Sequence, residues 1–166
     1  MPNKRIERLR DKLLARGRPT LHPPLTTPDA VALSPELQAL AERVRPFAEV
    51  MYLVLAADSK ISEPERDVLR GALRSLTEGA LSSSALDAML SEFEAARERQ
   101  GLEVRLDHLA SQLYSDRADA RLALGLATAA ADTDEGVGAD ERAVIEALAE
   151  RLRIGQDELQ ALLRED

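Results

Sequence analysis

Two stretches of this chain repeat each other. Asp58-Ser59-Lys60-Ile61-Ser62-Glu63-Pro64-Glu65-Arg66 and Asp134-Glu135-Gly136-Val137-Gly138-Ala139-Asp140-Glu141-Arg142 align without a gap at an offset of 76 residues. Asp58 matches Asp134, Ile61 matches Val137, and Glu65-Arg66 matches Glu141-Arg142; Val68, Leu69 and Leu76 then match Val144, Ile145 and Leu152. Each stretch follows an Ala-rich apolar run and precedes apolar residues at helical spacing. The chain thus carries two copies of a helix–acidic loop–helix unit, about residues 47–76 and 123–152.

Composition agrees with a helical reading. Leu, Ala, Glu and Arg dominate, all strong helix formers, and no stretch alternates β-branched residues with period two. With Phe47, Tyr52, Phe93 and Tyr114 the only aromatics, the core must be aliphatic and close-packed. The expected fold class is all-α: one bundle of about seven helices behind a basic helix and a Pro-rich linker. The absence of cysteine excludes disulfides, thiolate metal sites and Cys nucleophiles. No run of 18 apolar residues exists, and the charged N-terminus lacks the apolar core of a secretory signal. Net charge is -8, with residues 1–20 at +5 and the remainder at -13. Such an acidic body is poorly suited to nucleic acid, whose phosphates need clustered cations.

Along the chain, residues 1–18 form a basic amphipathic element with Ile6, Leu9 and Leu13 at helical spacing and Asn3 as candidate cap. Two roles fit it: docking on a membrane or acidic partner through Arg5, Arg8, Lys12 and Arg16, or folding back onto the acidic body, which the composition favours. Residues 19–35 read as a Pro-rich linker containing His22, a solvated residue rather than a ligand. Residues 36–166 form the helical domain. Ser34-Pro35 opens its first helix, and Pro46 is expected to kink or split it before the apolar run from Val50 to Leu55. Ser62-Glu63-Pro64-Glu65 predicts a capping box, Gly79 a helix end, and Ser82 to Ser84 the next cap. Leu86, Met89, Leu90 and Phe93, then Leu106, Leu109, Ala110 and Leu113, form two further inward stripes, with His108 beside the second. A small-residue helix through Leu122 to Ala131 is the counterpart of the first buried helix. Val144 to Leu152 follows the second loop, and Asp157 to Leu163 ends the chain's helices.

The acidic loops are the candidate site. Neither is an EF-hand: counted from Asp132, Gly136 falls at position 5, Val137 at 6 and Ala143 at 12, and counted from Asp58, Lys60 falls at position 3. Two readings stay open. In the structural one, Asp58 and Asp134 brace turns, Glu65 and Glu141 cap helices, and Ile61 and Val137 plug the loops onto the core. In the other, Asp132, Asp134 and Glu141 ligate a divalent cation (Ca, Mg, Mn or Zn), with Asp58 and Glu65 as weaker counterparts because Lys60 repels a cation. Ser59 after Asp58 does not match a phosphopantetheine carrier site, since Lys60 replaces the usual Leu. Two histidines and no cysteine leave no nucleophile–base pair, and no Gly-rich phosphate loop appears, so the expectation is a non-enzyme with no certain cofactor.

The doubled pattern, Ala56-Ala57-Asp58, Ile61, Glu65 and Leu69, then Asp134, Val137, Glu141, Ile145 and Leu152-Arg153-Ile154, resembles the tellurite-resistance TerB family and is similar to the N-terminal domain of DjlA-type co-chaperones. The resemblance covers about residues 36–164; Ser59 and Glu135 stand where the family often has Gly after the Asp. It implies an all-α bundle with an internal repeat, acidic residues on one side, and a bacterial cytoplasmic or membrane-associated protein linked to stress response and metal binding. The resulting expectation is a protein-binding adaptor, cytoplasmic or peripheral to the inner face of the membrane, with metal binding or sensing as the alternative.

Overall fold

Ser34 closes the first long helix of the body: its Oγ accepts the Leu37 amide at 3.3 Å, and Pro35 occupies the first helical position, where a missing N–H costs nothing. The computed structural model describes residues 4–16, 33–58, 60–132 and 136–164, and of 13–16 the backbone only. Among the described residues the elements are α1 (Lys4–Arg16), α2 (Pro35–Leu55), α3 (Glu63–Leu76), α4 (Ser83–Gln100), α5 (Leu102–Leu113), α6 (Arg117–Ala131), α7 (Ala139–Arg151) and α8 (Gln156–Arg164), with no strand. The all-α bundle with seven helices after the basic one is therefore the observed architecture. Asn3, His22 and nearly all of the linker 19–35 lie outside the described residues.

The expected break at Pro46 does not divide α2, which runs unbroken from Pro35 to Leu55. Proline frees the carbonyl four residues back, here that of Glu42. Glu42 is exposed, so water can take that carbonyl, while Phe47 to Leu55 beyond the proline are all buried and hold the second half in place. This second half packs most extensively on α6, and α3, α4, α5 and α7 surround the pair. The repeat explains the pairing: α2 and α6 are the first helices of the two units, and α3 and α7 the second. Close approach is possible because α6 presents Ala123, Gly125, Ala127, Ala129, Ala130 and Ala131, all buried. Its one buried hydroxyl, Thr128, donates to the Leu124 carbonyl at 2.8 Å and is thereby satisfied.

The stripes read for α4 and α5 face inward, whereas Val68 of α3 is 49% exposed. Leu86, Met89, Leu90 and Phe93 of α4 and Leu106, Leu109, Ala110 and Leu113 of α5 are buried. Only Gly101 separates these two helices, at φ +83°, a left-handed conformation that glycine adopts without strain. His108 is exposed rather than at the core boundary. Helix α1 lies against α6 and α3 with Ile6 buried, so the basic helix folds back onto the acidic body. No helix among the described residues is long and apolar enough to cross a membrane.

Candidate functional site

The two acidic loops meet. Asp58 and Glu65 of the first unit and Asp140 and Glu141 of the second line one open cleft of about 190 Å³, floored by Leu55 and Ala57 at the end of α2. Local sequence sets the shape of each loop, and the packing of α2 on α6 brings the two together. Both loops are anchored by their apolar residue, Ile61 and Val137, half-buried against the core as the structural reading expected. Both then turn straight into a helix, so α3 and α7 present their N-termini to the cleft.

The glutamates act as caps. The Ser62 amide donates to Glu65 Oε2 at 2.7 Å, and the Glu65 amide donates to Ser62 Oγ at 3.4 Å, completing the predicted box. The Ser62 hydroxyl also donates to the same Oε2, at 2.7 Å. In the second unit the Gly138 amide donates to Glu141 Oε2 at 2.8 Å, but glycine has no hydroxyl to return, so this box is half complete. Each glutamate thus sets one oxygen on backbone amides at the positive end of a helix dipole, which offsets part of its charge. Asp58 and Asp140 are exposed. The cleft is best equipped to receive positive charge, with two aspartates outermost and two capped glutamates behind them.

The candidate ligands are not all brought together. Glu65 and Glu141 share the cleft with Asp58; Asp132 stands exposed as the C-cap of α6, outside that lining. Asp134 lies outside the described residues. Among the described residues no group of three or more His, Cys, Asp or Glu side chains is placed to hold a metal. Asp140 is the lining residue that the sequence reading left without a role. Its signal was present, since it immediately precedes the capping Glu141 in the first turn of a helix.

Lys60 turns to a different recess, also about 190 Å³, with Tyr52, Glu94, Arg97 and Glu98. Tyr52 is 2% exposed and packs on Phe93 with ring centroids 6.0 Å apart. Burial pushes its phenol above the usual tyrosine range; Glu94 adds to this, and Arg97 and Arg66 oppose it. Glu49 is held by Arg105 in a two-pronged pair, Nε to Oε1 at 2.7 Å and an Nη to Oε2 at 2.8 Å, which joins α2 to α5.

Comparison with curated proteins and with solved structures gave no match. A family model does match: that of the tellurite resistance protein TerB, over residues 46–164, from the second half of α2 to the end of α8. The match spans both helix–acidic loop–helix units and every side chain of the cleft, and the chain accordingly belongs to the TerB family.

Proposed function

We propose that this chain is a non-enzymatic, cytoplasmic interaction module of the TerB family, and that the cleft between its two acidic loops is the working surface. The partner it suits is a protein presenting lysine or arginine. The observation that carries this reading is the convergence of Asp58, Glu65, Asp140 and Glu141 from two separate units on one concavity. Two of the four carboxylates are committed to helix caps, which leaves Asp58 and Asp140 outermost for a cationic partner. Attraction here is long-ranged and weakly directional, which favours charge steering over tight coordination.

The same convergence supports a second reading, in which a divalent cation occupies the cleft, because hard cations take carboxylate oxygens. One titration separates the two. A fluorescent Lys/Arg-rich peptide is added to the full chain and to the Asp58→Asn/Asp140→Asn variant, at low and at moderate salt. The interaction reading expects binding that weakens with salt and falls about tenfold or more in the variant. Equal binding to both proteins removes the cleft from the account. Displacement of the peptide by micromolar Ca²⁺, Mg²⁺, Mn²⁺ or Zn²⁺ moves the assignment to the metal.

A further inference from the structure

Helix α1 precedes the family match and is joined to α2 by residues 17–34. It carries six basic and two acidic side chains, net +4, on a chain whose total is -8. It is seated against α6 and α3. Ile6 is buried at 4% exposure, and Leu9 is half-buried. Leu9 lies over Gly125 of α6 with room for little more than a methyl group between them: a Cβ on Gly125 would already touch Leu9 Cδ2 at 3.4 Å. Among the described residues, polar clasps include an Arg5 guanidinium donating to the Leu162 carbonyl and Arg10 pairing with Glu78 at 3.7 Å. On the outer side, Arg8 and Lys12 are exposed.

We propose that α1 is a detachable anchor for an anionic lipid surface, stored on its own body in solution. The apolar face that grips α6 is the face an interfacial helix sinks into a bilayer, and its low mean hydropathy with a basic polar face is the interfacial type. Anionic lipid attracts clustered lysine and arginine, while the -12 remainder of the chain attracts the same helix and keeps it docked. Lipid and body compete for one surface, so the outcome follows their difference in affinity for α1. The body's own charge does not veto lipid binding. The eighteen residues 17–34 can span up to about 60 Å when extended, several times the screening length of about 10 Å in ordinary salt.

Co-sedimentation of the full chain with phosphatidylcholine vesicles containing about a third phosphatidylglycerol tests this. Wild type is expected to bind them, to release with salt, and to ignore pure phosphatidylcholine. Gly125→Leu drives a side chain into the Leu9 contact and should raise the bound fraction severalfold. Should that variant fail to fold, Glu78→Lys breaks the Arg10 clasp at an exposed site and should act in the same direction. Arg8→Glu/Lys12→Glu leaves the docked face untouched; it should lower binding by about tenfold or more with no change in melting temperature. The proposal is overturned if Gly125→Leu or Glu78→Lys folds and stays off the anionic vesicles, which would direct the helix to an acidic protein instead. Equal binding to neutral vesicles, or no response to the double charge reversal, overturns it as well.

Discussion

Glu49 sits within an apolar run, 4% exposed, and Arg105 reaches it from 56 residues away with Nε and one Nη of its guanidinium. Taking one charge away leaves the other largely buried without its ionic partner. Glu49→Ala or Arg105→Ala should each cost about 3–5 kcal/mol in denaturant titration, while Glu49→Leu with Arg105→Met should recover most of the loss. Additive losses in that cycle would mean the pair is not coupled. Tyr52 makes a pH prediction. Its phenol is pushed up in the folded state, so above the ordinary value of 10.0 the unfolded chain loses a proton that the native state keeps. Stability is therefore unaffected below about pH 10 and falls as pH rises beyond it. Melts at pH 9 to 11 should show a smaller alkaline loss for Tyr52→Phe than for wild type; parallel losses would refute it. Legibility at this scale depended on sequence separation. Ser62 and Glu65 lie three residues apart and could be read as a cap. Glu49 and Arg105 could not be paired, because nothing local places α2 beside α5.

At the scale of elements, the two caps are a natural comparison, since Ser62 and Gly138 share nearly the same backbone, φ/ψ -73°/164° and -63°/161°. Ser62→Ala should destabilise by about 1 kcal/mol through loss of the hydroxyl. Gly138→Ser should do the reverse by roughly 0.5–1 kcal/mol, combining a restored cap with reduced freedom of the unfolded chain. A Cβ at Gly138 would meet Glu141 Oε2 at 3.1 Å, but that oxygen ends a flexible side chain, and Glu65 shows where it can settle beside a serine. Thermal melts decide both, and a lower melting point for Gly138→Ser would show that the second loop cannot take the geometry of the first. Most elements were readable because their apolar residues recur at helical spacing with a cap at one end and glycine at the other. Of the kink or split expected at Pro46, the split is absent because the penalty of a helical proline is local, whereas what offsets it, the buried run from Phe47 to Leu55, is tertiary.

Over the whole molecule, the doubled sequence becomes a doubled site. The repeat could be aligned by eye, and it predicted two similar loops. It did not say that they face one another, since that follows from α2 packing on α6. Asp58 and Asp140 come to line one cleft only through that packing, whereas Asp132, Asp134 and Glu141 could be grouped from the sequence because they lie within one loop. Carboxylates gathered for a ligand repel one another while they wait for it. The central claim is that the cleft is a binding surface rather than a brace, and a melt of chelator-stripped protein tests it most directly. Wild type and Asp58→Asn/Asp140→Asn are compared alone, with excess Lys/Arg peptide, and with millimolar divalent ions. The account predicts a variant that melts no lower than wild type when alone. It also predicts that wild type is stabilised by ligand, by about 2.7 kcal/mol at a hundredfold excess over Kd, and that the variant is not. A variant that melts lower, in a protein that no cationic ligand stabilises, would make these aspartates loop braces and contradict the account.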